Sequence, residues 1–115
     1  MLLYKLVWWY NNPKGFLASS SGMILADIAV SNKDFDKGLS ILSKCIKNSN
    51  SIKDIRQMQL RKADYYIGNG QKFEAEKIID KLLSDEDLST WNKQVAQEIK
   101  GKILSQFLVK IFTET

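Results

Sequence analysis

Apolar residues recur along this chain at helical spacing. Phe35, Leu39, Leu42 and Ile46 follow one another at steps of 4, 3 and 4 residues, which places them on one face of a helix. Ala75, Ile78, Ile79 and Leu82 form a second such face. The pattern predicts a first helix from about Lys14 to Ser31, with Phe16, Leu17, Met23, Ile24, Ile28 and Val30 as its apolar surface and a weak helix-forming run at Ser19-Ser20-Ser21-Gly22. A turn at Ser31-Asn32-Lys33 follows, and Asp34 is suited to cap the second helix because its carboxylate can accept from free backbone N–H groups. Ser51 and Asp54 fit a capping box at the start of a third helix, which runs to about Ile67 and closes on Gly68-Asn69-Gly70. A fourth helix is predicted over Gln71 to Leu83. After the acidic stretch Ser84-Asp85-Glu86-Asp87, a long last helix starts near Ser89 or Thr90 and reaches about Phe112.

Small residues impose a period on these helices. Ala26 is followed by Gly38 and Ala63 by Ala75, both after 12 positions (38 − 26 and 75 − 63), and the two pairs lie 37 positions apart. Leu42, Cys45 and Ile46 in the first copy correspond to Ile79, Leu82 and Leu83 in the second. Units of this length cannot bury their own apolar faces and must stack. The expected fold is therefore all-α: a stack of antiparallel helical hairpins, about two and a half repeats, ending in a long C-terminal helix. Gly101 comes 38 positions after Ala63 (101 − 63), so the last helix reads as the first half of a third hairpin. In this register Ala26, Ala63 and Gly101 sit at close helix contacts, with Gly38 and Ala75 opposite them. The stripe Ile103, Leu104, Phe107, Leu108, Ile111 and Phe112 has two readings. Either it caps the stack by packing on the preceding pair, or part of it stays exposed and docks a partner helix or another copy of the chain.

The N-terminal segment, residues 1–13, stands apart from the repeat domain, residues 14–115. MLLYKLVWWY is apolar except for Lys5 but shorter than the roughly 20 residues that cross a bilayer. It also lacks the charged start and cleavage site of a signal peptide. It is read either as a helix or extended arm packed on the first repeat, or as an interfacial segment or the stump of a longer anchor, since Trp8, Trp9 and Tyr10 suit a membrane–water boundary. Asn11, Asn12 and Pro13 end it. A chain broken at this point, a truncated copy of a longer protein, is one expectation.

Composition narrows the chemistry. The chain has 115 residues, a net charge of +4, one cysteine and no histidine. An internal disulfide, a His/Cys zinc cluster and a Ser-His or Cys-His dyad are thereby excluded. Cys45 reads as a small buried core residue. The basic residues are lysines except Arg56 and Arg61 and are dispersed, the pattern of solvated helix faces rather than of a nucleic-acid site. Asp85, Glu86 and Asp87 have no nucleophile or metal-ligand companion, and the Gly68-Asn69-Gly70 turn lacks the Lys-Ser/Thr of a phosphate loop. No catalytic residue, cofactor or metal is expected.

Leu25-Ala26-x-x-Ala29, Phe35 and Gly38-x-x-x-Leu42 resemble the slots of tetratricopeptide repeats, and Ala63, Tyr66, Ala75 and Ile79 repeat them. Lys72 takes the second aromatic slot with Phe73 one place late, and the spacing exceeds the usual period of about 34. Over about Lys14 to Ser105 the chain is similar to the tetratricopeptide-like domain of the bacterial ancillary Sec translocon subunit and cell-division coordinator family. That similarity rests on QLRKADYYIGNGQKFEAEKIIDKLL, Trp91 and Glu98-Ile99-Lys100-Gly101. The resemblance implies a non-enzymatic protein-interaction module whose partners are the Sec translocon or a periplasmic chaperone. The implied location is the periplasmic side of the inner membrane if a full anchor exists, and otherwise soluble. It also implies that the first helix of each hairpin lines a concave face, toward which Asp27, Asp64 and Lys102 point. With Phe107 and Ile111 on the last helix, these are the candidate partner-binding residues. Alternative functions are a peripheral membrane-surface protein, and a soluble truncated repeat scaffold or basic RNA-binding helical protein. Nucleic acid is the less expected partner, and self-association is a further possibility of the exposed stripe.

Overall fold

The computed structural model describes Lys5, Val7, Trp8, Tyr10, Asn11 and residues 18–114. The expected beginning of the first helix, with Phe16 and Leu17, and the break at Pro13 lie outside the described residues. Five helices follow in order: α1 (Ala18–Ser31), α2 (Phe35–Asn48), α3 (Ile52–Gly68), α4 (Lys72–Leu83) and α5 (Thr90–Glu114). The described residues contain no strand, so the architecture is all-helical with a long C-terminal helix.

Local chemistry sets the boundaries. The Asp34 carboxylate accepts from Lys37 N–H at 3.2 Å and caps α2. Ser51 Oγ accepts from Asp54 N–H at 3.3 Å and caps α3, but the capping box is half-built, because Ser51 N–H donates to Ser49 Oγ instead of to Asp54. α1 and α3 end alike. At the end of α3, Gln71 N–H donates to Tyr66 O at 2.7 Å and Gly70 N–H to Ile67 O at 3.1 Å, with Gly70 at φ 76°. At the end of α1, Asp34 N–H donates to Ala29 O and Lys33 N–H to Val30 O, both at 2.9 Å, with Lys33 at φ 65°. Both are Schellman closures, in which a left-handed residue turns the chain back and satisfies two terminal carbonyls. Their left-handed residues are 37 positions apart (70 − 33).

Each turn folds a helix back on its predecessor. A Cβ on Gly22 would lie 2.2 Å from Cys45 Sγ, and one on Gly38 would lie 2.7 Å from Val30 Cγ2 and 3.2 Å from Ala26 O. Early α1 therefore meets late α2, and late α1 meets early α2, so the pair is antiparallel. Arg56, early in α3, pairs with Asp85 just after α4, which makes the second pair antiparallel too. α4 and α5 are antiparallel by the same logic: Lys100 Nζ reaches Asp80 Oδ1 at 3.0 Å, while Phe107 shares a groove with Phe73.

α3 is the wall between two cores. Met58 and Tyr65 face Ala26, Ile41, Leu42 and Cys45 of the first pair. Leu60, Ala63 and Ile67 face Ala75, Ile79 and Leu82 of α4 and Leu88, Ala96, Ile99 and Ile103 from the last loop and α5. Leu42, Met58 and Ile79 are fully buried, each stabilising the fold by about 1.5–3 kcal/mol relative to exposure. Ala26, Ala63 and Ala75 are completely buried and Gly38 is buried, so four of the five expected small-residue positions sit at close contacts. Gly101 is the correction. It is exposed, and nothing lies within 4 Å of a Cβ built on it. The buried line of α5 is Asn92, Ala96, Ile99 and Ile103, and Gly101, two residues beyond Ile99, faces about 200° away from it.

The acidic loop is structural. Arg56 pairs with the Asp85 carboxylate and donates from Nη1 to Asp87 O at 3.3 Å, while Asp87 N–H donates to Asp85 Oδ1 at 3.0 Å. The backbone donor first, and the guanidinium second, hold the Asp85 carboxyl below the ordinary carboxylate range. This clasp seats Leu88 in the core. At the other end Tyr10 packs on the first core with the Lys44 ammonium 4.5 Å above its ring, whereas Val7 and Trp8 are exposed. Burial of Cys45 pushes its thiol pKa up, away from the reactive thiolate. No helix among the described residues is long and apolar enough to cross a membrane.

Candidate functional site

Two grooves carry the candidate residues, and the fold keeps them apart. The first, of about 390 Å³, lies along α3 and α5 and reaches Met23 of α1. Its floor is Met23, Leu60, Val95 and Ile99, with Trp91 at one end and Asp64 and Lys102 on its edge. α3 and α5 run in the same direction because each is antiparallel to α4. Met23 of α1 and residues of α3 and α5 line one groove.

Each charged candidate on this side is paired across helices, Asp64 with Lys102 and Asp27 with Arg61 and Tyr65. Asp27 Oδ1 accepts a hydrogen bond from the Tyr65 hydroxyl and lies 3.1 Å from Arg61 Nε. Asp64 Oδ1 lies 3.1 Å from Lys102 Nζ. A 37-residue shift carries Asp27 onto Asp64 and Tyr65 onto Lys102 (27 + 37 and 65 + 37), so these bridges are one contact made twice. Burial, reinforced by the hydrogen bond to Asp27, raises the Tyr65 pKa far above that of an ordinary tyrosine and keeps its hydroxyl a donor. The two carboxylates are therefore not bare anions, and a basic ligand would compete with Arg61, Tyr65 and Lys102. The Asp64–Lys102 bridge is exposed on both sides and is easily exchanged for such a ligand.

Phe107 and Ile111 lie at the second groove, about 640 Å³, between the start of α4 and the far half of α5. Phe73, Ile79, Ile103 and Leu104 complete its apolar wall, and Lys72, Lys100 and Lys110 stand at its margin with Glu76. Among the described side chains of α5 beyond Ile103 none is buried: Leu104, Phe107, Leu108, Val109 and Ile111 are all 44–58% exposed. The apolar stripe thus divides. Its first member, Ile103, caps the core, and the rest faces outward.

The five expected partner-binding residues consequently fall on two surfaces, with Asp27, Asp64 and Lys102 on the inner side and Phe107 and Ile111 at the C-terminal end. Trp91, 70% exposed, and Phe73, 81% exposed, belong to these surfaces and were not among the expected residues. Phe73 carries a legible signal, since it falls about 160° from Ala75 on the helical wheel, off the buried face. Arg61 carries none, because its partner Asp27 comes from another helix. Among the described residues no three His, Cys, Asp or Glu side chains gather into a possible metal site. No protein-family model matches the chain, and no curated protein or solved structure matches it either.

Proposed function

We propose that the chain is a non-enzymatic protein-interaction module, a tetratricopeptide-like stack of two hairpins and a half whose inner groove receives a segment of a protein partner. The observation that carries this reading is the groove itself: an apolar floor across α1, α3 and α5, an exposed Trp91, and an exchangeable Asp64–Lys102 bridge at the margin. Exposed tryptophan next to polar partners is a common anchor of protein interfaces. An ancillary role beside the Sec translocon or a periplasmic chaperone rests on the sequence resemblance alone. In affinity purification, Trp91→Ala and Asp64→Asn are expected to lose partners that the wild-type chain recovers while both variants keep its helicity. Recovery of every partner by both variants contradicts the inner groove as the binding site.

A second reading is attachment to a membrane surface, favoured by the outward placement of Val7 and Trp8, 43% and 58% exposed. It predicts binding to anionic vesicles that weakens with added salt and is abolished when Trp8 and Trp9 are replaced by Ala. Unchanged binding by that double variant excludes it.

A further inference from the structure

The far half of α5 carries a second apolar line. Gly101, Leu104, Leu108 and Ile111 follow at steps of 3, 4 and 3 residues, the spacing of a coiled-coil seam. This seam is separate from the buried line Asn92, Ala96, Ile99 and Ile103, which already packs on α3 and α4. All four of its residues are exposed. Seven of the ten residues in Ile103–Phe112 are apolar and only Lys110 is charged, so this end of the helix is apolar on nearly every side, the composition of a buried helix. In the two complete hairpins, the second helix packs on the first through buried small residues. Among the described residues no helix packs on the outward side of α5, and a Cβ built on Gly101 would meet nothing within 4 Å there.

We propose that this place is filled by α5 of a second copy of the chain, the two helices crossing antiparallel about a two-fold axis near Gln106. In that register Gly101 faces Ile111 of the second copy and Leu104 faces Leu108, each contact occurring twice as two-fold symmetry demands. The charges permit it. Lys102 is turned to Asp64 on the inner side, Lys100 is held by Asp80, and Lys110 stands at the α4 groove, so no like charges meet in the seam. On and beside the seam Leu104, Phe107, Leu108 and Ile111 are each 44–56% exposed, an apolar face that a second helix would cover.

Sedimentation of the full chain over a range of concentrations tests this. The expected result is a species of twice the 13.2 kDa chain mass. Leu108→Lys sets a charge against Leu104 of the second copy and should raise the dissociation constant on the order of 100-fold or more. Because Leu108 is exposed in one chain, the variant should retain its helical circular dichroism. Lys53→Gln, at the exposed start of α3, should leave the dimer unchanged. A wild-type chain that is monomeric throughout, an open series of larger assemblies, or a dimer that survives Leu108→Lys overturns the proposal. A heterologous helix as the occupant would appear as the first of these results.

Discussion

The first hairpin and the second close on the same backbone turn but with different chemistry. Both close on a left-handed residue 37 positions apart, both bring a buried alanine of the first helix near a small residue of the second, and both begin a 38-residue bridge from an aspartate to the next first helix. The residues that meet these demands differ. Lys33 holds the conformation that Gly70 adopts without strain, and Gly38 stands where Ala75 suffices. In the first bridge a buried tyrosine hydroxyl and an arginine hold the aspartate, whereas an exposed lysine does so in the second. The two hairpins thus match in their closing turns and in the close approach of small residues. Side chains are free to vary within those limits.

The small-residue positions should break first. Gly38→Leu and Ala75→Leu force a branched side chain between packed helices, and each is expected to destabilise by about 1–3 kcal/mol, with Gly38→Leu at or above the upper end. The two copies should then separate on a milder change. Gly38→Ala should destabilise despite alanine's better helix propensity, because its Cβ meets Val30 and the Ala26 carbonyl. Chemical denaturation of the three variants measures these differences. A Gly38→Leu variant as stable as wild type removes the close contact.

The bridges come next in size. Tyr65→Phe removes the donor to Asp27 and should cost about 1 kcal/mol near neutral pH. Its pH dependence has a definite sign. The folded-state pKa of Tyr65 is raised, so its contribution is fully present below the ordinary tyrosine pKa of about 10 and is lost as pH rises past that value. Urea titrations at successive alkaline pH values should therefore show a shallower fall in stability for Tyr65→Phe than for wild type. Parallel curves would mean that the hydroxyl is not buried.

Much of this architecture is legible in the sequence because it depends on local chemistry. Asp34 and Ser51 announce their helices, and Gly68-Asn69-Gly70 its turn. The 12-residue step places Ala26, Gly38, Ala63 and Ala75 correctly. The repeat period, stretched to 38 positions, misplaces Gly101. The bridge from Asp64 to Lys102 keeps the 37-residue step in α5, and that step puts Lys100, not Gly101, in the place of Ala63 (63 + 37). Lys100 is exposed there and its ammonium reaches Asp80, so a lysine is tolerated. Lys33 is illegible for a related reason, since nothing local marks a lysine for left-handed backbone. The pairing of Asp27 with Arg61 and Tyr65 is likewise fixed by helix packing, which no local spacing reports.

The equivalence of the two turns is tested most directly by exchanging their demands. Urea denaturation of Lys33→Gly and Gly70→Ala should give changes of opposite sign, about 1 kcal/mol of added stability for the first and about 1 kcal/mol lost for the second. Shifts of the same sign, or no shift at Lys33→Gly, would contradict a common turn in the two hairpins.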